Sequence, residues 1–148
     1  MNHSTLKQDS RTQLIRQLVY FDEEKTGFLT HYFPEPGKQR AAAEELLNRY
    51  CSALEERLAD FQEDQLDNQV LIGSELQLRY LDDDALDTYT LVFPESAKPE
   101  ENKVSLLSPV GMQLLLAEPG RTYELQVPSG QLSVQIESCR FINCGEVG

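Results

Sequence analysis

The most constraining feature of this chain is the segment Phe33-Pro34-Glu35-Pro36-Gly37, set between two stretches of helical periodicity. Before it, Leu14, Leu18, Phe21, Phe28 and Tyr32 recur at steps of three, four or seven. After it come Ala43, Leu47, Tyr50, Leu54, Leu58 and Phe61, at steps of 4, 3, 4, 4 and 3. The second series is close to the 3.5-residue repeat of a coiled-coil seam. Two prolines and a glycine so close together cannot continue a helix. The spacing therefore predicts a helix from about Leu6, a sharp reversal, and a second helix from near Lys38 toward Gln65. At ~1.5 Å per residue, helices of about 20–25 residues are roughly 30–38 Å long. A pair of this kind has a single seam, so it must fold over another element or protrude as an arm.

The period then changes. After the polar joint Asp64-Gln65-Leu66-Asp67-Asn68, Glu75 to Tyr80 alternates with period two, as a half-buried strand does. Asp82-Asp83-Asp84 starts a turn, and Thr88 to Phe93 reads as the returning strand. Val104 to Leu107 is a short strand, and Ser108-Pro109 opens a short helix, with Ser108 as N-cap and Pro109 in its first position. Thr122 to Val127 alternates again, Pro128-Ser129-Gly130 turns the chain, and Leu132, Val134 and Ile136 alternate in a last strand. The expected fold class is α+β: an antiparallel helical hairpin over residues 1–66, then an antiparallel sheet with one short helix over 67–148.

Composition closes several functional routes. The 148-residue chain carries 13 Lys and Arg against 25 Asp and Glu, a net charge of −12. Both sides of Asn68 are acidic, so no basic patch is available to neutralise the phosphates of free duplex DNA. An acidic surface suits docking on a basic partner. No apolar run is long enough to span a membrane, and the stretch Met1 to Asp9 lacks the apolar core of a signal peptide, so a cytoplasmic location is expected. Cys51, Cys139 and Cys144 are an odd set and are expected to be reduced thiols. With only His3 and His31 available, they form no recognisable zinc-ligand pattern. The Asp82–Asp84 turn fails the calcium-loop pattern, since Leu86 and Phe93 fall where ligands are needed. No cofactor, metal site or catalytic residue is expected.

One ordered set of residues is recognisable. Ile72-Gly73-Ser74 precedes a strand; Tyr89, Leu91 and Val92 follow; then come Val104-Ser105, Ser108-Pro109-Val110-Gly111, Pro119-Gly120 and Val127-Pro128-Ser129-Gly130. In order and spacing this resembles the C-terminal domain of the Gre transcript-cleavage factors, a domain shared with the regulator of nucleoside diphosphate kinase. The resemblance implies an FKBP-like sheet wrapped on a short helix. It also implies docking near the secondary channel of bacterial RNA polymerase, with Ser108 and Pro109 as candidate contacts. Turn and capping roles account for most of these residues as well, so the set identifies a fold better than a contact surface.

The resemblance further implies a hairpin that presents two carboxylates at its tip, from a Gly-Asp-Leu-Ser-Glu-Asn segment, to help hold a second metal ion for RNA cleavage. This chain departs from that pattern. The nearest match, Gly27-Phe28-Leu29-Thr30-His31-Tyr32, has Phe28 and His31 in place of the acids, and Glu35 is the lone carboxylate between Lys25 and Glu44. The tip is aromatic instead, so Phe28, Leu29, His31, Tyr32, Phe33 and Glu35 are candidate partner contacts, although some of these rings could equally close the hairpin end by packing. The expected function is a non-catalytic regulator of transcription elongation that binds RNA polymerase. The alternatives are an interaction module for another protein, such as nucleoside diphosphate kinase, and a prolyl isomerase with an aromatic pocket drawn from Tyr80, Tyr89, Phe93 and Tyr123.

Overall fold

The computed structural model describes residues 9–142 and 144–147. The expected helix start at Leu6, residues Met1–Gln8 of the N-terminal stretch and His3 lie outside the described residues. The chain divides into two compact units, one reaching to Gln62 and the other running from Glu63 to Glu146.

The first unit is a helical hairpin. Helix α1 spans Ser10–Tyr32 and helix α2 spans Lys38–Ala59. Successive contacts climb one helix and descend the other: Arg40 reaches Thr30, Lys25 bonds Asn48, and Gln17 bonds Tyr50. The helices are therefore antiparallel around the proline pair. Leu14, Phe21, Phe28 and Leu29 of α1 are buried, as are Ala43, Leu46, Leu47, Tyr50 and Leu54 of α2. The heptad-like series holds through Leu54, but Leu58 is only half-buried and Phe61 lies past the end of α2. Two glutamines, Gln13 and Gln17, are fully buried on α1. The Tyr50 hydroxyl donates to Gln17 Oε1, which makes burial of that amide tolerable.

The second unit is a five-stranded sheet. Strands β1 (Ser74–Tyr80), β2 (Leu86–Val92), β3 (Lys103–Ser105), β4 (Thr122–Val127) and β5 (Gly130–Phe141) lie in the order β3-β2-β1-β5-β4. Helix α3 (Pro109–Leu114) contributes Leu114 to a core that also holds Leu76, Leu78, Leu91, Leu125, Val134 and Ile136.

The sheet is mixed, not purely antiparallel: β3 runs parallel to β2, with Thr90 opposite Lys103. The reason is the path between them. Two 3-10 turns, Pro94–Ser96 and Pro99–Glu101, carry the chain back along the sheet, and Asn102 reverses it at φ 58. A strand entered after such a return must run in the original direction.

Strand β5 extends five residues beyond the alternation of Leu132, Val134 and Ile136. A bulge explains the hidden length. The register against β1 shifts between Gln77 and Leu78, so Glu137 and Ser138 are both exposed before Cys139 turns inward. One extra residue flips the parity, and period-two reading stops there.

Candidate functional site

The hairpin apex is built by helix termination. Pro34 and Pro36 lack the N–H groups a helix needs, so α1 ends at Tyr32. Its last carbonyls would then be left without partners. Two bonds answer this: the Phe33 N–H donates to the Leu29 carbonyl at 2.7 Å, and the Arg40 guanidinium donates to the Phe33 carbonyl at 2.8 Å. The same guanidinium reaches Thr30 Oγ1 at 3.2 Å. Arg40 thus ties the start of α2 to the end of α1. Sequence reading missed it, although a cation one turn after a short proline-rich connection is a usable sign of a carbonyl cap.

Below the apex an edge-to-face aromatic ladder runs along the seam. Phe21 meets Phe28 at 5.6 Å and Tyr50 at 6.3 Å, while Phe28 meets Tyr20 at 5.9 Å and Tyr32 at 5.0 Å. Such pairs prefer tilted rings because each positive edge faces a negative ring face. Phe28 and Leu29 are therefore interior residues, 5% and 2% exposed, and offer no surface to a partner. Of the expected tip contacts, His31 and Glu35 are exposed, while Tyr32 and Phe33 are half-buried. The His31 ring stands edge-on to Tyr32 at 4.6 Å. Tyr32, Phe33, Glu35, Lys38 and Arg40 line a notch of about 340 Å³ at the turn.

The chemistry of the apex is that of one carboxylate near two cations. Among the described residues, no group of three or more His, Cys, Asp or Glu side chains is placed to hold a metal ion. Asp22, Glu23 and Glu24 are exposed on α1, more than two helical turns before its end. A hard divalent cation needs several converging oxygens, and Glu35 alone does not supply them. The residues at this apex do not fit a metal-holding acid pair. On the flank of the hairpin, burial, with Asp22 and Glu55 nearby, pushes the Cys51 thiol up from its ordinary value. Among the described residues, Cys51, Cys139 and Cys144 form no disulfide.

In the sheet unit, Ser105 to Gly111 forms a closed knot. Ser108 Oγ donates to the Ser105 carbonyl at 2.8 Å and accepts from the Gly111 N–H at 3.0 Å, capping α3. The Leu107 N–H donates to Ser105 Oγ at 2.9 Å. Gly111 has no alternative here, because a Cβ on it would sit 2.1 Å from the Ser105 carbonyl oxygen. Gly73 is similarly fixed, with φ +110 and a hypothetical Cβ only 2.7 Å from the Gly145 nitrogen. Ser108 is thus consumed by the fold, while Pro109 remains exposed in the first position of α3.

A helical hairpin followed by a sheet unit with one short helix is the architecture the sequence motifs pointed to, the parallel strand β3 excepted. The family described as transcription elongation factor, GreA/GreB, C-terminal region, matches residues 65–141, more than half of the chain. The chain belongs to the GreA/GreB family of transcription elongation factors. The transcription elongation factor GreA of Desulfovibrio desulfuricans is 31% identical over 99 residues, covering 64% of this chain and 61% of that protein. GreA of Alkaliphilus oremlandii is 29% identical over 132 residues, covering 89% and 81% respectively. A solved GreA/GreB elongation factor from Nitrosomonas europaea overlaps 68% of this chain and 93% of its own, with a TM-score of 0.49 and 26% identity.

Proposed function

We propose that the chain regulates transcription elongation by binding bacterial RNA polymerase near its secondary channel, without delivering an acid pair to the polymerase. In this reading residues 67–148 dock and residues 1–66 form the arm. Family membership supports the polymerase as partner. The acidic balance of 13 cations against 25 carboxylates supports contact with nucleic acid only through the polymerase and not with free DNA; a cytoplasmic location with no membrane partner belongs to the same reading.

The observation that carries the reading is the apex. Glu35 is the lone carboxylate between Lys25 and Glu44, and Lys38 and Arg40 follow it closely. Stabilising a second metal ion for phosphodiester cleavage requires converging carboxylates. His31, Tyr32, Phe33 and Glu35 are instead the accessible contacts of the arm, and Pro109 is the accessible contact of the docking unit.

The test is retention of core RNA polymerase by the immobilised full chain, at low and at moderate salt, followed by addition of the chain to backtracked elongation complexes. The expected result is retention in both salts with RNA cleavage no faster than in the polymerase alone. Polymerase that washes through at both salts overturns the binding half. Rapid cleavage overturns the other half.

A further inference from the structure

We propose that the outer edge of β2, over Leu86–Thr88, is a docking site for an extended, lysine- or arginine-rich segment of a partner protein, which would add to the sheet as a strand. The argument starts from hydrogen-bond direction. In the β1–β2 ladder the Tyr80 N–H donates to the Ala85 carbonyl, which fixes that pair as hydrogen-bonded. Pairs then alternate along the register, so Asp87 and Tyr89 point their backbone groups at β1, while Leu86, Thr88 and Thr90 point theirs outward. Thr90 and Val92 find partners there: the Thr90 N–H donates to the Asn102 carbonyl at 2.9 Å, and the Leu106 N–H donates to the Val92 carbonyl at 3.0 Å. Strand β3 pairs only with Thr90 to Val92. Among the described residues, the outward N–H and C=O groups of Leu86 and Thr88 have no protein partner.

This stretch is unlike the opposite side of the sheet. At β4, the Gln113 side chain donates to the Gln126 carbonyl and accepts its N–H, both at 2.8 Å, so a side-chain amide imitates a neighbouring strand. Nothing comparable covers Leu86 and Thr88. Among the described residues, the most exposed large apolar side chain, Leu86 at 52%, stands on this open edge. An open edge with apolar side chains is the surface to which an added strand binds, through main-chain bonds and alternate side-chain contacts.

Charge selects the occupant. From Ser74 to Val92 there are five carboxylates, Glu75, Asp82, Asp83, Asp84 and Asp87, against Arg79 alone. Asp84 and Glu137 engage that arginine, at 3.0 and 2.8 Å. Among the described residues, Asp82 and Asp83 at the turn form no ion pair and are exposed. A second copy of this chain would bring the same acids to the edge and be repelled; a basic segment would be attracted and held in register. The proposal does not rest on the transcription reading and stands or falls separately from it.

The experiment titrates the full chain into a fluorescein-labelled peptide of alternating lysine and valine, and into the same peptide with glutamate for lysine. Amide resonances of Leu86 and Thr88 are followed in parallel. The lysine peptide is expected to bind, to shift those amides, and to weaken as salt is raised, while the glutamate peptide stays free. Thr88→Pro removes the outward donor without removing a bond the fold makes, so Kd should rise by about tenfold or more with the melting temperature little changed. Asp82→Lys with Asp83→Lys, a change confined to the exposed turn, should weaken binding severalfold and flatten its salt dependence. Absence of binding, equal binding of both peptides, shifts mapped away from β2, or unchanged affinity in both variants overturns the proposal. Sedimentation showing a dimer that Thr88→Pro dissolves also overturns it, in favour of a second copy as occupant.

Discussion

In the hairpin, burial runs along one seam, from Leu14 to Leu29 on α1 and from Ala43 to Leu54 on α2, between segments joined by a single short turn. In the sheet unit, β1 is held by β2 on one side and by β5, more than fifty residues later, on the other. The hairpin is a local structure whose side chains can change one at a time. The sheet unit is a non-local one, in which tight backbone approaches such as Gly111 on Ser105 fix the path. The difference teaches where each unit can carry function. A seam can end in an apex of almost any chemistry, because capping by Arg40 and the proline pair closes it without help from the tip side chains. In the sheet unit the most recognisable motif is the least free, since its serines and glycine are spent on one another.

The largest effect that would break this comparison is expected at Gly111. Gly111→Ala puts a methyl group 2.1 Å from a backbone oxygen that cannot swing away. We expect a loss of about 4–5 kcal/mol, among the largest for a single substitution. The measurement is urea unfolding followed through the amide signals of β4 and β5. A loss under about 1 kcal/mol, in the range of ordinary substitutions, would show that the knot is pliable.

Next comes Phe21→Ala, at a side chain 1% exposed with Tyr20, Phe28 and Tyr50 around its ring. Removing it leaves a cavity in a one-seam structure, at a cost of about 3–4 kcal/mol. Loss of helical circular dichroism at a lower urea concentration, with the β4 and β5 amides holding their wild-type midpoint, is the expected result. Equal shifts of both sets of signals would erase the distinction drawn between local and non-local units.

The same contrast explains what the sequence made legible. Helix periods and the proline break placed α2 at Lys38 and ended α1 beside Phe33, because local signals control a local structure. Ser108 as N-cap and β4 at Thr122–Val127 were also readable, since a cap and an alternation are local too. The direction of β3 was not, because nothing within Lys103–Ser105 encodes the return path through residues 93–102. The tail of β5 was hidden by a bulge whose cause lies in its pairing with β1. At the apex, aromatic residues were visible as a group, but which of them face inward depends on the partner helix: Phe28 and Leu29 are interior, and Tyr32 and Phe33 are half-buried. Burial of Gln17 was not legible, because Tyr50, which donates to its amide oxygen, lies on the other helix.

The smallest effect concerns the caps of two helices, one ionisable and one neutral. Asp9 caps α1: its carboxylate accepts from the Thr12 N–H at 2.8 Å, and its backbone carbonyl accepts from the Gln13 N–H at 3.0 Å. Those bonds to Thr12, with the nearby Arg11 charge, hold the Asp9 carboxyl below its ordinary value of 3.8. A carboxyl whose pKa falls on folding stabilises the folded state above the unfolded value, and that contribution is lost as pH drops through the folded value. The Thr12 amide resonance should therefore move with pH, with a midpoint below 3.8. Asp9→Asn keeps an acceptor oxygen but has no proton to gain, so the bond should persist and that movement should vanish. Ser108 caps α3 with a hydroxyl, so the Gly111 amide should show no comparable step over the same range. A midpoint at or above 3.8 for Thr12 would mean that the carboxylate does not hold this amide in solution, and α1 would then begin without the cap on which its first turn depends.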